Sequence, residues 1–179
     1  MGKNFEKLTD KLKEFIRQQK MFFVGTAPSA EGEVHIAPKG YDTLKILDDT
    51  HLVYLDYYGS ENDTARHVSE NGKITLMWCS FDKKPCILRA YGLGESVSKG
   101  TEEFDKLHTQ YFENYHPKMI RQMIKVNIHR VMTTCGFGVP LMKYEGDRKT
   151  LHDLSDKMLV KNPAGKLFTK MFNTEIDAK

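Results

Sequence analysis

The sequence has few cysteines, and their arrangement does not predict a disulfide framework. The 179 residues include three cysteines, Cys79, Cys86 and Cys135. They form no CxxC pair, and their number is odd. Disulfide-stapled domains are short and rich in paired cysteines, so this chain is expected in a reducing cytoplasm. Cys135 precedes a glycine-rich run, which allows either a reactive thiol or, as we favour, a structural cysteine beside a tight turn.

Long apolar runs and blocks of one charge are also missing. No apolar stretch approaches the roughly 18 residues of a membrane span. The segment from Asn4 to Lys20 is amphipathic, so no signal peptide is expected, and Glu6 stands where a myristoylation signal needs Ser or Thr. The net charge is +3 and the basic residues are scattered. A nucleic-acid or membrane partner is therefore not predicted.

Signatures of hydrolases, nucleotide-binding loops and metal sites are absent as well. The sequence contains no GxSxG, no HExxH and no P-loop. None of the seven histidines has a second histidine four residues away, so no metal site is predicted.

Short strands make up most of the pattern that is present, with helices at the edges of the run. Apolar residues alternate in the segments between turn signals, as in a half-buried strand. The predicted strands are Met21–Ala27, Val34–Ala37, Thr43–Leu47, Leu52–Asp56, Lys73–Cys79, Cys86–Val97 and Ile124–His129. The predicted helices are Phe5–Gln19, a short helix from Ser60 to Asn71-Gly72, one capped by Thr101, and one that includes Leu151–Leu159. This pattern predicts a mainly β fold, a six- or seven-stranded antiparallel barrel with peripheral helices, in one domain over residues 1–179. Within it, residues 1–20 form the N-terminal helix and 147–179 a C-terminal helix and tail.

The stretch from Thr43 to Trp78 contains the strongest chemical signal. Gly59 allows a sharp turn, and Ser60 is a good helix N-cap. A helix N-terminus presents unpaired N–H groups and partial positive charge, which suit a phosphate, and Lys39 and Lys45 precede it. These residues alone leave two interpretations open, an ordinary cap with two surface lysines or a phosphate pocket.

The same stretch resembles a known family. The run from Lys45 through Tyr54 to Gly59-Ser60, then Asn71-Gly72 and Ile74–Trp78, is similar to the flavin-binding core of pyridoxamine 5′-phosphate oxidase-like proteins. These proteins are split β-barrels that bind FMN, and the resemblance extends over roughly Phe15 to Asp153. It implies a six- or seven-stranded antiparallel split β-barrel for this chain.

The family pattern also implies roles for individual residues. Lys45 resembles the strand lysine at the flavin site, and Ser60 the serine that opens the phosphate-binding turn. Gly40 falls where the family has an arginine, and neighbouring Lys39 would substitute for it. Glu61 and Asn62 replace the Arg-Lys pair that grips the phosphate, which moves that role to Lys39, Asn62, Thr64 and the backbone.

Further matches lie in the second half of the chain. Arg89-Ala90-Tyr91-Gly92 resembles a strand near the flavin, and Tyr144-Glu145-Gly146 resembles a W-Q-G motif that packs beside the ring. Leu151-His152-Asp153 is similar to an L-H-D at the substrate end, but its spacing from Gly146 differs, so oxidation of pyridoxamine phosphate itself is not predicted. The implied FMN-binding residues are Lys39, Gly40, Lys45, Ser60, Asn62, Thr64, Arg89 and Tyr144, and no catalytic residue is assigned.

The resemblance thus implies a cytoplasmic, homodimeric flavoprotein with FMN at the subunit interface. If catalytic, it would be an FMN-dependent oxidoreductase whose small-molecule substrate and electron donor the sequence does not name. One alternative is the same barrel with deazaflavin or haem as its cofactor. For haem, His35 or His129 would be the axial ligand. Another is flavin storage or sensing without turnover, which the missing Arg-Lys pair favours.

Overall fold

The computed structural model describes residues 2–58, 62–151 and 153 of the chain. Strands dominate this part, as predicted. The strands are β1 (Lys3–Phe5), β2 (Phe22–Thr26), β3 (His35–Lys39), β4 (Leu44–Ile46), β5 (His51–Tyr57), β6 (Lys73–Cys79), β7 (Ile87–Ser98) and β8 (Ile120–Thr134). The helices are α1 (Asp10–Gln18), α2 (Asp63–Asn71) and α3 (Glu102–Tyr111), with a 3-10 turn at Pro117–Met119. No helix in the described ranges is long and apolar enough to cross a membrane.

The strands form an antiparallel sheet in the order β3-β2-β6-β7-β8-β5-β4, and β1 pairs with β8. The register places apolar residues of neighbouring strands opposite one another, as in Val24 with Leu76 and Trp78 with Leu88. All four are buried. This confirms the prediction of a mainly β, antiparallel fold with peripheral helices.

Contacts divide the chain into two compact units. The first comprises Met1–Tyr54, Asn62–Ser96 and Ile124–Glu145, and the second Leu55–Glu61, Val97–Met123 and Gly146–Lys179. Strands β5, β7 and β8 contribute residues to both. The single domain over residues 1–179 stays a prediction, and most of the predicted C-terminal helix lies outside the described residues.

Aromatic and branched side chains fill the core of the first unit. The Phe22 ring stacks on Trp78 at a centroid distance of 6.0 Å and meets Tyr54 edge-on at 5.6 Å. Helix α1 adds Leu12 and Ile16 to the same core. Burial of these apolar groups supplies most of the driving force for folding this unit.

The predicted start of the first helix was wrong. Helix α1 begins at Asp10, because the Thr9 side chain caps it by accepting a hydrogen bond from the Leu12 backbone N–H at 3.4 Å. Phe5 lies instead in β1, opposite Val131 of β8. Its apolar side chain sits at helical spacing from Leu8, but pairing with a long neighbouring strand overrides that local pattern.

Two further boundaries differ from the prediction. Helix α2 has Asn62 at its N-cap position, and Ser60, the predicted N-cap, lies outside the described residues. Strand β3 continues through Pro38 to Lys39 rather than ending at the proline. This is allowed because β3 is at the end of the sheet order, where a missing N–H costs no ladder bond.

The second unit contains α3 and its own apolar core. Thr101 caps α3, as predicted, by accepting from the Phe104 backbone N–H at 3.2 Å. Phe104, Leu107 and Phe112 are buried. The other buried apolar residues of this unit are Leu55, Val97, Met119, Ile120 and Met123.

Gly92 on β7 is a position where a side chain would collide with the neighbouring strand. A Cβ there would lie 2.4 Å from the backbone oxygen of Asn127 and 2.9 Å from Val126 Cγ1. We expect Gly92→Ala to destabilise the protein by about 1–3 kcal/mol, measured by urea unfolding, because the two strands would have to separate. Gly138→Ala is the matched control: a Cβ at Gly138 meets nothing within 4 Å, so its effect should stay within about 0.5 kcal/mol. Equal unfolding midpoints for the two variants would contradict the prediction.

Candidate functional site

Strand β3 presents two different surfaces, because successive side chains point to opposite sides. His35, Ala37 and Lys39 are half-buried on one side, whereas Ile36 and Pro38 are more open on the other. The first side leads to α2, and we call it the β3–α2 site: His35, Lys39, Asn62, Thr64 and His67. The second side belongs to an outer groove described below.

A chain of polar contacts links β3, α2 and β2. His35 Nδ1 lies 3.9 Å from Asp63 Oδ2, and the His35 ring is 6.4 Å from the His67 ring. His67 Nδ1 lies 3.0 Å from Thr26 Oγ1. His67 is 1% exposed, and its Nε2 has no hydrogen-bond partner among the residues that the structure describes. Thr26 therefore makes the hydrogen bond that orients this buried histidine.

The N-terminus of α2 forms one end of the β3–α2 site. Asn62 holds the N-cap position, and its side chain makes no capping bond to the described part of α2, while its backbone oxygen accepts from the Arg66 N–H at 3.0 Å. Thr64 is buried in the first turn. Asp63 brings a negative charge here, but its carboxylate is 2.5 Å from an Arg66 guanidinium nitrogen. The turn thus contributes helix-dipole charge and backbone N–H groups to this end of the site.

Lys39 and Gly40 lie at the other end of β3. The Lys39 ammonium is 6.0 Å from the Tyr54 ring centroid. The Gly40 backbone oxygen accepts from Thr43 Oγ1 at 2.8 Å. A Cβ on Gly40 would make only an ordinary contact, 3.8 Å from the Lys20 oxygen. Space therefore does not explain why glycine replaces the family arginine at this position.

Two further predicted residues, Lys45 and Tyr144, have contacts of their own. Lys45 on β4 forms an ion pair with Asp42, so its charge is partly compensated. Tyr144 is 51% exposed, and the Lys20 ammonium lies 5.5 Å from its ring centroid. Lys20 is therefore close to both Tyr144 and Gly40.

Arg89 lies on β7, opposite Met77, and donates to Thr134 Oγ1 at 3.4 Å. Burial raises the pKa of the Cys79 thiol, and the Arg89 charge opposes that shift. Burial is the larger cause that raises the pKa of Cys86, and the negative charge of Cys79, when that thiol is ionised, raises it further. All three cysteines are free thiols, and these two are protonated at neutral pH.

The described contacts therefore separate the predicted residues into groups. Asn62 and Thr64 share the start of α2, Lys39 and Gly40 the end of β3, and β3 itself connects the two groups. Sequence reasoning missed Thr26 and His67. Neither stands in a recognisable motif, and the sequence does not show that β2 brings the threonine to the helix.

The outer groove lies on the opposite side of β3. It encloses about 500 Å³ and is lined by residues of β2, β3, β6, β7 and β8. Val34 and Ile36 expose apolar surface there, and the Arg130 guanidinium stacks over Tyr91 at 4.0 Å from its ring centroid. Of the predicted FMN-binding residues that the structure describes, none lines this groove.

Comparison with known proteins identifies the family. Residues 8–135 match the family model described as pyridoxamine 5′-phosphate oxidase, and the chain belongs to that family. It is 33% identical over 151 residues to the pyridoxamine 5′-phosphate oxidase family protein ustO of Aspergillus flavus. That match covers 82% of this chain, and the chain spans 59% of the relative's length. The resemblance inferred from the sequence is thereby confirmed.

Solved structures show the same fold. HupZ from Group A Streptococcus superimposes with a TM-score of 0.56 at 18% identity, over 69% of this chain and 91% of that one. A candidate pyridoxamine 5′-phosphate oxidase from Lactobacillus delbrueckii gives 0.55 at 19% identity, over 71% and 94%. At these identities the likeness concerns the fold alone.

The Thr26–His67 contact generates a stability prediction. Thr26→Val keeps the shape of the side chain but leaves His67 Nδ1 without its partner, in addition to Nε2. We expect a loss of about 1–3 kcal/mol in the free energy of unfolding, measured in urea. Thr26→Ser retains the hydroxyl and should recover most of that loss; a valine variant as stable as the parent would contradict the assignment.

Proposed function

We propose that this protein is an FMN-dependent oxidoreductase whose cofactor lies along the β3–α2 site. The observation that carries the proposal is the arrangement along β3. His35 meets the first turn of α2 at one end of the strand, and Lys39 lies at the other end. FMN is elongated, with a phosphate at one end and its ring at the other, and family membership supports this cofactor.

The residues present are compatible with a phosphate. Asn62 and Thr64 belong to the start of α2, where backbone N–H groups and helix-dipole charge suit an anion, and Lys39 adds positive charge. Ser60, which lies outside the described residues, completes the predicted phosphate contacts. Lys45 and Arg89 are proposed near the flavin and Tyr144 beside its ring. When bound, FMN supplies hydride or electron transfer, while the chain supplies position, charge and hydrogen-bond donors.

Two alternatives have specific support. Asp63 places a carboxylate in the first turn of α2, and Glu61-Asn62 replace the family's Arg-Lys pair; both weaken phosphate binding and favour flavin storage or sensing without turnover. A haem alternative rests on His35 as the axial ligand, and Asp63 Oδ2 lies 3.9 Å from its Nδ1, so a carboxylate is near the ring. His129 lines the outer groove, on the other side of β3. Deazaflavin would be distinguished from FMN by its spectrum.

We also propose a cytoplasmic homodimer with the flavin at the subunit interface. The exposed large apolar residues of the described chain fall into two sets. Val34, Ile36 and Leu93 are the first set, and the segment 137–144 contributes Phe137, Leu141, Met142 and Tyr144. Large apolar residues exposed in this number favour an interaction site, and a second copy presents the same two sets.

An absorption spectrum of the purified protein, repeated after addition of FMN and desalting, tests the cofactor. We expect flavin bands near one FMN per chain. Lys39→Ala should weaken FMN binding about tenfold or more, because a charged contact to the phosphate is lost. Lys11→Ala, an exposed lysine on α1, is the matched control and should leave the affinity unchanged.

Other outcomes separate the alternatives. A chain that retains no flavin at excess FMN contradicts the proposal, and a Soret band after purification favours haem. Bound flavin that no reduced nicotinamide or other donor bleaches favours storage or sensing.

The molar mass in solution, measured by light scattering after size exclusion, tests the homodimer. We expect twice the chain mass for the parent protein. Ile36→Glu should shift the equilibrium toward the monomer, because a charge would be buried in an apolar interface. Lys11→Glu is the control at an exposed position of α1 and should remain dimeric. A monomeric parent chain, with and without FMN, rules the dimer out.

A further inference from the structure

We propose that Lys99, Tyr58 and Arg121, all in the second unit, form a binding site for a phosphate-type oxyanion. None of the three belongs to the residues that the family resemblance implies. Lys99 follows β7, Tyr58 follows β5, and Arg121 lies in β8.

Two cations share one aromatic ring in this site. The Lys99 ammonium lies 5.1 Å from the Tyr58 ring centroid, and the central carbon of the Arg121 guanidinium lies 5.4 Å from it. Each cation is attracted to the ring, but the two positive charges repel each other. An anion that contacted both cations would offset that repulsion.

A buried carboxylate positions the arginine. Asp56 is 3% exposed, and its Oδ2 accepts a hydrogen bond from Gln122 Nε2 at 3.0 Å. Arg121 Nη1 lies 3.8 Å from that same oxygen. Asp56 thus compensates the charge of Arg121 from the buried side, while the charge of Lys99 remains beside Tyr58.

The lysine is held in place by its backbone. Thr101 Oγ1 donates to the Ser98 oxygen at 2.8 Å, and Gly100 adopts a φ of +81°, so a tight turn surrounds Lys99. No carboxylate pairs with Lys99 in the part of the chain that the structure describes. Burial lowers the pKa of its ammonium, and an anionic partner would compensate for the lost hydration.

The chemistry of the two cations favours phosphate. Lysine contributes a compact charge, and the guanidinium of arginine matches two oxygens of one phosphate at once. The alternative is that Lys99 and Arg121 simply pack on Tyr58 and bind nothing.

Calorimetric titration of the full-length protein with inorganic phosphate, at low and constant ionic strength, tests the site. We expect saturable binding that chloride does not reproduce. Lys99→Gln should weaken it about tenfold, since one charged contact is lost. Lys106→Gln, an exposed lysine of α3, is the control and should bind like the parent.

Arg121 needs a milder change, because its removal would leave Asp56 buried beside an empty position. Arg121→Lys retains the charge but not the two-oxygen geometry and should weaken phosphate binding severalfold. Its unfolding midpoint serves as the check on folding. Parent protein that binds no phosphate, or a Lys99→Gln variant that binds it as the parent does, overturns the proposal.

A second arm identifies the source of the phosphate. If saturation with FMN abolishes phosphate binding while riboflavin does not, the site holds the phosphate of the flavin, and the phosphate contacts proposed at the start of α2 are wrong. If phosphate still binds in the presence of FMN, the site receives a phosphorylated second ligand. Both results support the oxyanion site, and neither depends on whether the protein turns over.

Discussion

The close approach of β7 and β8 at Gly92 is the constraint on which the sheet depends. The backbone oxygen of Asn127 occupies the place where a side chain would begin. These are the two longest strands of the described chain, and each contributes to both compact units. Their pairing sets the positions of Tyr91 and Arg130 in the outer groove, and of Arg89 beside Thr134.

Alternation along β3 then separates two kinds of surface. The half-buried side carries His35 and Lys39, whose neighbours are polar or aromatic groups of α2 and β5. The exposed side carries Ile36 above an apolar groove. One short strand at the end of the sheet order thus presents a polar site on one face and an apolar surface on the other.

Much of the fold followed from local signals. Strand β6 and the turn after α2 matched the prediction closely, because alternation and a left-handed Gly72 are properties of the local sequence. Phe5 did not follow its helical spacing, because β8 offered a pairing partner that local sequence cannot reveal. Asn62 occupies the N-cap position of α2 although serine suits that position equally well, so residue type alone does not locate the start of this helix.

By itself, the sequence determined the fold class, the family and the residue types available for a phosphate. Strand periodicity, turn residues and motif order are properties of short stretches of sequence. Only the tertiary structure decided which of these residues meet. It placed His67 against Thr26, paired Lys45 with Asp42, and brought Lys99 and Arg121 to one ring. Most of these contacts join residues far apart in the chain, and they follow from strand order and register, which no short stretch of sequence specifies.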